Sequence, residues 1–402
     1  MLRNRAYMLM WCGALISSFG DSLTLFGLAW YVLGRSHNPL EVGLTFLIFD
    51  LPGLFSALLV GWALDRFRRE AVMLVDNILR GGLVLLIPLL DGVHMLSLPA
   101  LYIIIALLGT LSVITQVGTP ALITELVPPE DYNTANSLEV MQRQISFIAG
   151  PGLAGLLVFL IGPLALLWID SGTFFVFALL LFVLMRNRTP AISTDIKQAG
   201  NFLANLLRGI RFAGRSPLLL ALLSISFFWN AGIGIFNVAL PFYCERFLHV
   251  GAAGMGALLS VNSLGVLLSA LLFGPLRPRH PGIVTCLLLI AQAVCYALMG
   301  IVPLFWLVLP IYFILGALDD LGAIYLTTIR LKAIPGELQG RVLAFTGSVG
   351  PAGTPLGNGA AGLLLVGLSA PLVVMLAGLP LCAVGVTWLV AGPLRKVEDN
   401  YQ

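Results

Sequence analysis

The stretch "GWALDRFRRE", Gly61 to Glu70, decides how the rest of the chain is read. Small and apolar residues lead into five charged ones (Asp65, Arg66, Arg68, Arg69 and Glu70), and the chain turns apolar again at once in "AVMLV", Ala71–Val75. So short and charged a segment between two long apolar stretches fits a loop joining two membrane-spanning helices. Its arginines hold the loop on one side of the bilayer.

Composition widens that reading to the whole chain. The 402 residues are 59% hydrophobic and 10% charged, with mean hydropathy +0.98. A soluble domain carries about 25% charge, so this chain belongs in lipid. The net charge of +3 comes without a basic tail or a basic patch interleaved with aromatics, so nucleic acid is not an expected partner. Five cysteines lie in or beside apolar segments without C-x-x-C spacing, and read as inert thiols. The four histidines are scattered over loops and segment ends, so no metal site is expected. No nucleophile elbow, Walker loop or zinc signature is present. The chain is expected not to be an enzyme and to need no cofactor.

A span needs roughly 20 residues, and twelve segments qualify: 6–33, 39–64, 71–91, 98–126, 132–161, 163–186, 216–244, 250–274, 281–301, 303–330, 337–366 and 369–393. The first follows a basic start, as a signal peptide does, but its apolar run continues to about Leu33 without a cleavage site; it is expected to stay as a span. With the N-terminus inside, eighteen of the 22 Lys and Arg fall at cytoplasmic ends, Arg35 and Arg246 lie outside, and Arg80 and Arg143 lie within spans. That bias predicts cytoplasmic termini, in an inner or plasma membrane.

Between Arg186 and Pro217 the apolar pattern breaks. In "NFLANLLRGIRFAGRSP", Phe202, Leu206 and Ile210 share a helical face, with Arg208, Arg211 and Arg215 on a basic side; an interfacial helix N-capped by Asn201 is expected there. This joint separates two repeats. Shifted by 207 residues, Pro128 falls on Pro335, Glu130 on Glu337, and Gly150, Gly152 and Gly155 on Gly357, Gly359 and Gly362. The expected fold is all-α: twelve transmembrane helices in two pseudo-symmetric six-helix bundles, residues 1–186 and 216–402, joined by a cytoplasmic linker at 187–215. Such repeats build a rocking transporter with its site near the midplane, and a twelve-helix body of this kind can work as a monomer.

These features together resemble the major facilitator superfamily of transporters over essentially the whole length. Gly61, Asp65, Arg66 and Arg69 match its loop 2–3 signature, G-x-x-x-D-R-x-G-R-R/K; Arg68 and Glu70 depart from it. The form here, with "TPALITELVPPEDYNTANSL" and "IPGELQGRV", is similar to the drug-exporter branch that includes macrolide efflux and enterobactin export proteins. The resemblance implies a conformational latch: Asp65 against a helix N-terminus near Gln339, a favourable place for a carboxylate, and Arg66 and Arg69 bridged to acids such as Glu125 or Glu130. "SFIAGPGLAGLL" resembles the family's antiporter motif, with Gly150, Pro151 and Gly155 in place and Ser146 and Ala154 replacing glycines, which implies export. The Arg that many proton-coupled relatives carry in their fourth span is missing.

Ionisable residues inside spans are functional candidates because burial there is costly. Asp21 in the first span, with Ser17 and Thr24 on its face, is the preferred proton carrier, then Asp50 beside Pro52. Glu139 and Arg143 form an i,i+4 pair suited to structure or gating. Asp76 and Arg80 repeat the spacing and are expected to pair structurally; Asp170 is a lesser candidate. Asp319 and Asp320 are adjacent and point about 100° apart, one toward a cavity and the other toward a neighbouring helix or Arg330. Phe26, Trp30, Gln116, Arg143, Trp229, Asn230, Phe236, Asn237 and Asn262 are candidates to line an amphipathic cavity. The expected activity is export of amphipathic small molecules of drug or siderophore type, driven by protons. A lipid or lysophospholipid flippase is the second transport reading, and a non-transporting receptor or scaffold the reading of another class.

Overall fold

The computed structural model describes residues 4–186, 211–273, 278–335 and 339–394, and the regular structure among them is helical. The first six helices are α1 (Arg5–Ser36), α2 (Pro39–Arg66), α3 (Arg69–Gly92), α4 (Leu98–Leu126), α5 (Tyr132–Ile161) and α6 (Pro163–Arg186). After the joint come α7 (Pro217–Phe242), extended by a π turn at Tyr243–Phe247, then α8 (Gly251–Phe273), α9 (Pro281–Ile301) and α10 (Phe305–Ala333). Four shorter helices close the chain: α11 (Gln339–Val349), α12 (Gly353–Gly367), α13 (Ala370–Ala377) and α14 (Leu379–Ala391). The interfacial helix expected at 201–215 lies largely outside the described residues; 211–215 is helical.

Local chemistry sets the ends. Asn4 caps α1 by accepting from the Tyr7 N–H, and Ser97 and Ser216 do the same for α4 and α7. At the close of α1, His37 takes a left-handed conformation and its N–H bonds the Leu33 carbonyl. Gly162, at φ +82°, turns the chain sharply between α5 and the proline that opens α6.

Eleven described segments are long and apolar enough to cross a bilayer. The eleventh expected span, 337–366, is divided: α11 and α12 are separated by Gly350–Pro351–Ala352, so neither is a full crossing length. Pro351 supplies no N–H and glycines flank the break, while the Gly350 N–H still reaches the Thr346 carbonyl at 3.1 Å. Gly378 and Pro380 likewise divide the last span into α13 and α14.

The helices gather into two compact units. One comprises Met1–His37, Ile48–Ile196 and Ala252–Ser260; the other comprises Asn38–Leu47, Lys197–Gly251 and Val261–Gln402. In the first, α6 packs along α1 and α3, around Tyr7, Met10, Met73, Leu122, Phe177 and Leu181, all nearly inaccessible. In the second, α7 lies along α12, and α9 along α10, α13 and α14.

Each unit thus takes in the first turns of a helix whose remainder belongs to the other, and glycines make this possible. A Cβ on Gly155 of α5 would lie 2.9 Å from Gly256 Cα in the start of α8. A Cβ on Gly43, in the start of α2, would lie 2.7 Å from Gly362 Cα in α12. Gly155 and Gly362 are partners under the 207-residue shift. The internal repeat therefore reappears as two similar backbone-to-backbone approaches, although the partner glycines Gly43 and Gly256 do not fall on one another under that shift; close packing of this kind is what small residues permit between membrane helices.

Candidate functional site

The first unit contains a cavity of about 210 Å³ lined by α1, α2, α3, α4 and α5. Asp21, Gln116, Glu139 and Arg143 meet there, with Arg80, Thr115 and Gln142. Glu139 and Arg143 stand as one i,i+4 pair in the sequence, Asp21 and Gln116 lie far from it, and the fold brings all four to one cavity.

Arg80 stands at its centre. Its side chain is 4% exposed and ion-paired with Asp21 of α1, whose side chain is 37% exposed. The intrahelical Asp76–Arg80 pair expected from spacing is not the one formed. Asp76 instead accepts from the Thr115 hydroxyl of α4 at 2.9 Å, while its other carboxylate oxygen is buried without a hydrogen-bond partner among the described residues. Geometry explains the choice: an i,i+4 pair lies along its own helix surface, whereas Arg80 extends across to α1 and α6. Its guanidinium lies 4.3 Å from the Phe174 ring centroid of α6, a favourable cation–π placement in a dry setting.

Asp170 of α6 completes the cluster. It is fully buried and accepts from the Thr24 hydroxyl of α1 and from Thr173. Thr24, expected on the Asp21 stripe, thus serves Asp170. Gly20 makes room, because a Cβ there would collide with the Asp170 carboxylate and the Thr173 hydroxyl. Asp21, Asp76 and Asp170 all lie within electrostatic reach of Arg80. Of the three carboxylates only Asp21 is ion-paired with Arg80, and only Asp21 lines the cavity. The sequence carried part of this signal, since Arg80 is one of two basic residues inside spans. Its role across helices requires knowing that α1, α3 and α6 pack together.

On α5, Glu139 and Arg143 pair at 2.9 Å, with Glu139 10% and Arg143 63% exposed. Gln142 donates to Ser18 of α1 at 2.8 Å. Phe26 and Trp30 stack on each other, centroids 6.5 Å apart, away from this cavity's lining. Asp50 is part-exposed on α2, and it too is outside the lining.

The stretch expected as a loop is mostly helical, with only Phe67 and Arg68 between α2 and α3; there Arg69 pairs with Glu125 at 3.1 Å and donates to the Ala121 carbonyl, fastening the start of α3 to the end of α4. Arg66 lies over the Trp62 ring at 5.7 Å rather than on an acid. Asp65 is exposed, and no atom lies within 4 Å of a Cβ built on Gly61. The Gln339 side chain lies outside the described residues. On α5, a Cβ on Gly150 would lie 2.7 Å from Ser22, and the Pro151 carbonyl faces Gly256.

The second unit has its own acids. Asp319 of α10 accepts from the Trp229 indole of α7 at 3.3 Å, and Asp320 from Ser269 of α8 at 2.7 Å. The neighbours thus face different helices, as their 100° separation requires. Arg330 binds Ser226 at 2.8 Å instead of either acid. Asn230 donates to the Ser226 carbonyl and accepts from Thr354. Asn262 donates to the Tyr312 carbonyl at 3.0 Å. Phe236 packs against Tyr296 and Tyr312, and Asn237 is part-exposed. Among the described residues no cluster of His, Cys, Asp or Glu could hold a metal ion, and the described cysteines are free thiols.

Apolar helices of crossing length with polar clusters buried among them define a multi-pass membrane protein. The Major Facilitator Superfamily profile matches residues 10–350, and the chain belongs to that family. It is 25% identical to the multidrug efflux pump Tap of Mycolicibacterium fortuitum, over 96% of this chain and 95% of that protein. Against Tap of Mycobacterium tuberculosis strain H37Rv the identity is 24%, over 98% and 95%. The fold is similar to that of the nucleoside transporter NupG, with TM-score 0.78 at 13% identity over 98% of this chain and 100% of that one. It is also similar to a bacterial homologue of the iron transporter ferroportin, with TM-score 0.72 at 18% identity over 96% and 99%.

Proposed function

We propose that this transporter exports amphipathic small molecules, of drug or siderophore type, by alternating access coupled to proton entry, with the Asp21–Arg80 pair as the coupling element. The single observation that carries this is the ion pair of the buried Arg80 with Asp21, the carboxylate on the cavity wall.

Ionised Asp21 holds Arg80 toward α1. A proton arriving from the cavity neutralises Asp21 and weakens that bond. Arg80 then turns its charge to Asp76 or Asp170, which lie within its reach. Removing one partner of a buried pair leaves an uncompensated charge, so the shift cannot be idle: α1, α3 and α6 must readjust around it. A solute donor reaching Asp21 competes with the proton, and that competition is antiport. The absence of an arginine in α4 fits this arrangement, because α3 supplies the cation.

Similarity to the Tap multidrug efflux pumps favours outward movement of drugs, and the antiporter-like Gly150, Pro151 and Gly155 agree with it. The charge asymmetry of the sequence supports an inner or plasma membrane setting with both termini cytoplasmic. The repeats 1–186 and 216–402, joined at 187–215, are the bodies that rock, with Asp65, Arg66 and Arg69 as the conformational latch between α2 and α3. The protein acts as a monomer.

The test is reconstitution into liposomes carrying an imposed pH gradient, followed with a panel of labelled amphiphiles and an internal pH dye. The proposal expects solute flux that reverses with the gradient and moves protons the other way. Solute flux indifferent to the gradient would remove proton coupling. Movement of phospholipid headgroups alone would replace the reading with a flippase, and bound ligand without flux would point to a receptor.

A further inference from the structure

Two buried polar atoms on α3 face the same shortage. Arg80 donates through Nη2 to Asp21 of α1, while its Nε–H is buried without an acceptor among the described residues. Four residues earlier on the same helix, Asp76 is 1% exposed. Its Oδ2 accepts from the Thr115 hydroxyl, and its Oδ1 is buried without a donor among the described residues. An unmet donor and an unmet acceptor thus lie one helical turn apart. The acid precedes the base, the order in which an i,i+4 pair is favourable. Each atom costs free energy as it stands, because its lost hydration is not replaced.

Asp170 of α6 is placed differently. The Thr24 hydroxyl donates to its Oδ2 and the Thr173 hydroxyl to its Oδ1, so each oxygen already has a donor. The other charged groups on the cavity, Glu139 and Arg143 of α5, pair with each other. The α4 residues of the lining, Ser112, Thr115, Gln116 and Thr119, carry no titratable group. Asp76 is therefore the acid near Arg80 with an oxygen still open.

We infer that Asp76 is the positioning residue that receives Arg80 when Asp21 takes up a proton: the guanidinium leaves α1 and closes the i,i+4 pair on its own helix, Nε–H to Oδ1. This rests on the proton-coupling reading above and fixes which acid completes it. The proton goes onto the Asp21 carboxylate; Arg80 and Asp76 change partners and keep their own protonation. Thr115, on the cavity wall, holds the other Asp76 oxygen in both states. With Asp21 ionised, Arg80 ties α3 to α1. With Asp21 protonated the tie lies within α3, and α1 is released.

The experiment is a double-mutant cycle read as melting temperatures of the purified full-length protein in nanodiscs. Asp21→Asn keeps the shape of the acid and imitates its protonated state. With Asp76→Asn added, the loss should exceed the sum of the two single losses by about 2–4 °C, because Arg80 then has no open acceptor to turn to. Asp170→Asn in place of Asp76→Asn should give the plain sum. Asp76→Glu, which keeps the charge at that position, should show no excess. Liposome flux supplies a readout that packing alone does not move. Asp76→Asn should lower the pH of half-maximal gradient-driven flux by about one unit, a tenfold rise in proton concentration, because an Arg80 without a second partner keeps Asp21 ionised. Asp170→Asn should shift it less. Additive losses at 21 and 76, or an excess as large at 21 and 170 or with Asp76→Glu, overturn the inference and leave proton coupling at Asp21 standing. The cycle needs no transport: wild-type flux indifferent to the gradient would remove the coupling reading, while an excess at 21 and 76 would still support the exchange of partners.

Discussion

At the residue scale, the account turns on Arg80. A guanidinium 4% exposed inside a membrane protein persists because it is answered from several sides: Asp21 by an ion pair, Phe174 by its ring face, and Asp76 and Asp170 through space. Arg80→Ala should therefore destabilise the first unit by about 3–5 kcal/mol, the cost of stranding one side of a buried pair, read as a lower melting temperature in detergent. Arg80→Lys should retain more stability but lose the bond across to α1, because a compact ammonium cannot replace the planar fork. It should transport with little dependence on a pH gradient. Asp21→Asn should lower the melting temperature, because it removes the ion-pair partner of the buried Arg80, and should lose gradient-driven flux by at least about tenfold, in line with a charge-assisted bond worth roughly 1.5–3 kcal/mol.

At the element scale, glycines place helices where their side chains can meet. Gly20 is the clearest case: it lets α1 approach α6 closely enough for Thr24 to reach Asp170. Gly20→Ala should cost about 1–3 kcal/mol by overpacking, seen as a melting temperature below wild type. The similar Gly155–Gly256 and Gly43–Gly362 approaches are stricter, because backbone faces backbone and no side chain can swing away. Leucine at Gly155 or Gly362 should lower stability and flux together, whereas leucine at Gly61, with open space around it, should leave stability near wild type. Sequence reading found the helices well because apolar length and capping are local: α4, α5, α6 and α9 run as expected. It missed the division of the eleventh span, because a proline between glycines is common enough in membrane helices to pass without breaking the pattern. It also paired Arg80 with its neighbour in sequence, since spacing along one helix is visible and the contact with α1 is not.

At the scale of the whole molecule, the two repeats share a framework and differ in their polar contents. The 207-residue shift carries Gly155 onto Gly362, and each packs its backbone against a glycine of another helix. The first unit surrounds an arginine with acids; the second holds Asp319 by an indole and Asp320 by a hydroxyl. The framework was legible because duplication leaves matching glycines and matching span lengths. The polar contents were not, because they depend on which charges find partners after packing. Asp21, Gln116, Glu139 and Arg143 could be named singly from their cost in a span; their meeting in one cavity required the fold.

The central claim, that Asp21 exchanges a proton against solute, is tested most directly by counting protons. Purified protein in weakly buffered detergent, mixed with a transported amphiphile, should release protons on binding, and Asp21→Asn should bind the amphiphile while releasing fewer. Equal release from wild type and Asp21→Asn, or none from a wild type that binds, would contradict the account and move the proton to another site or remove it from the cycle.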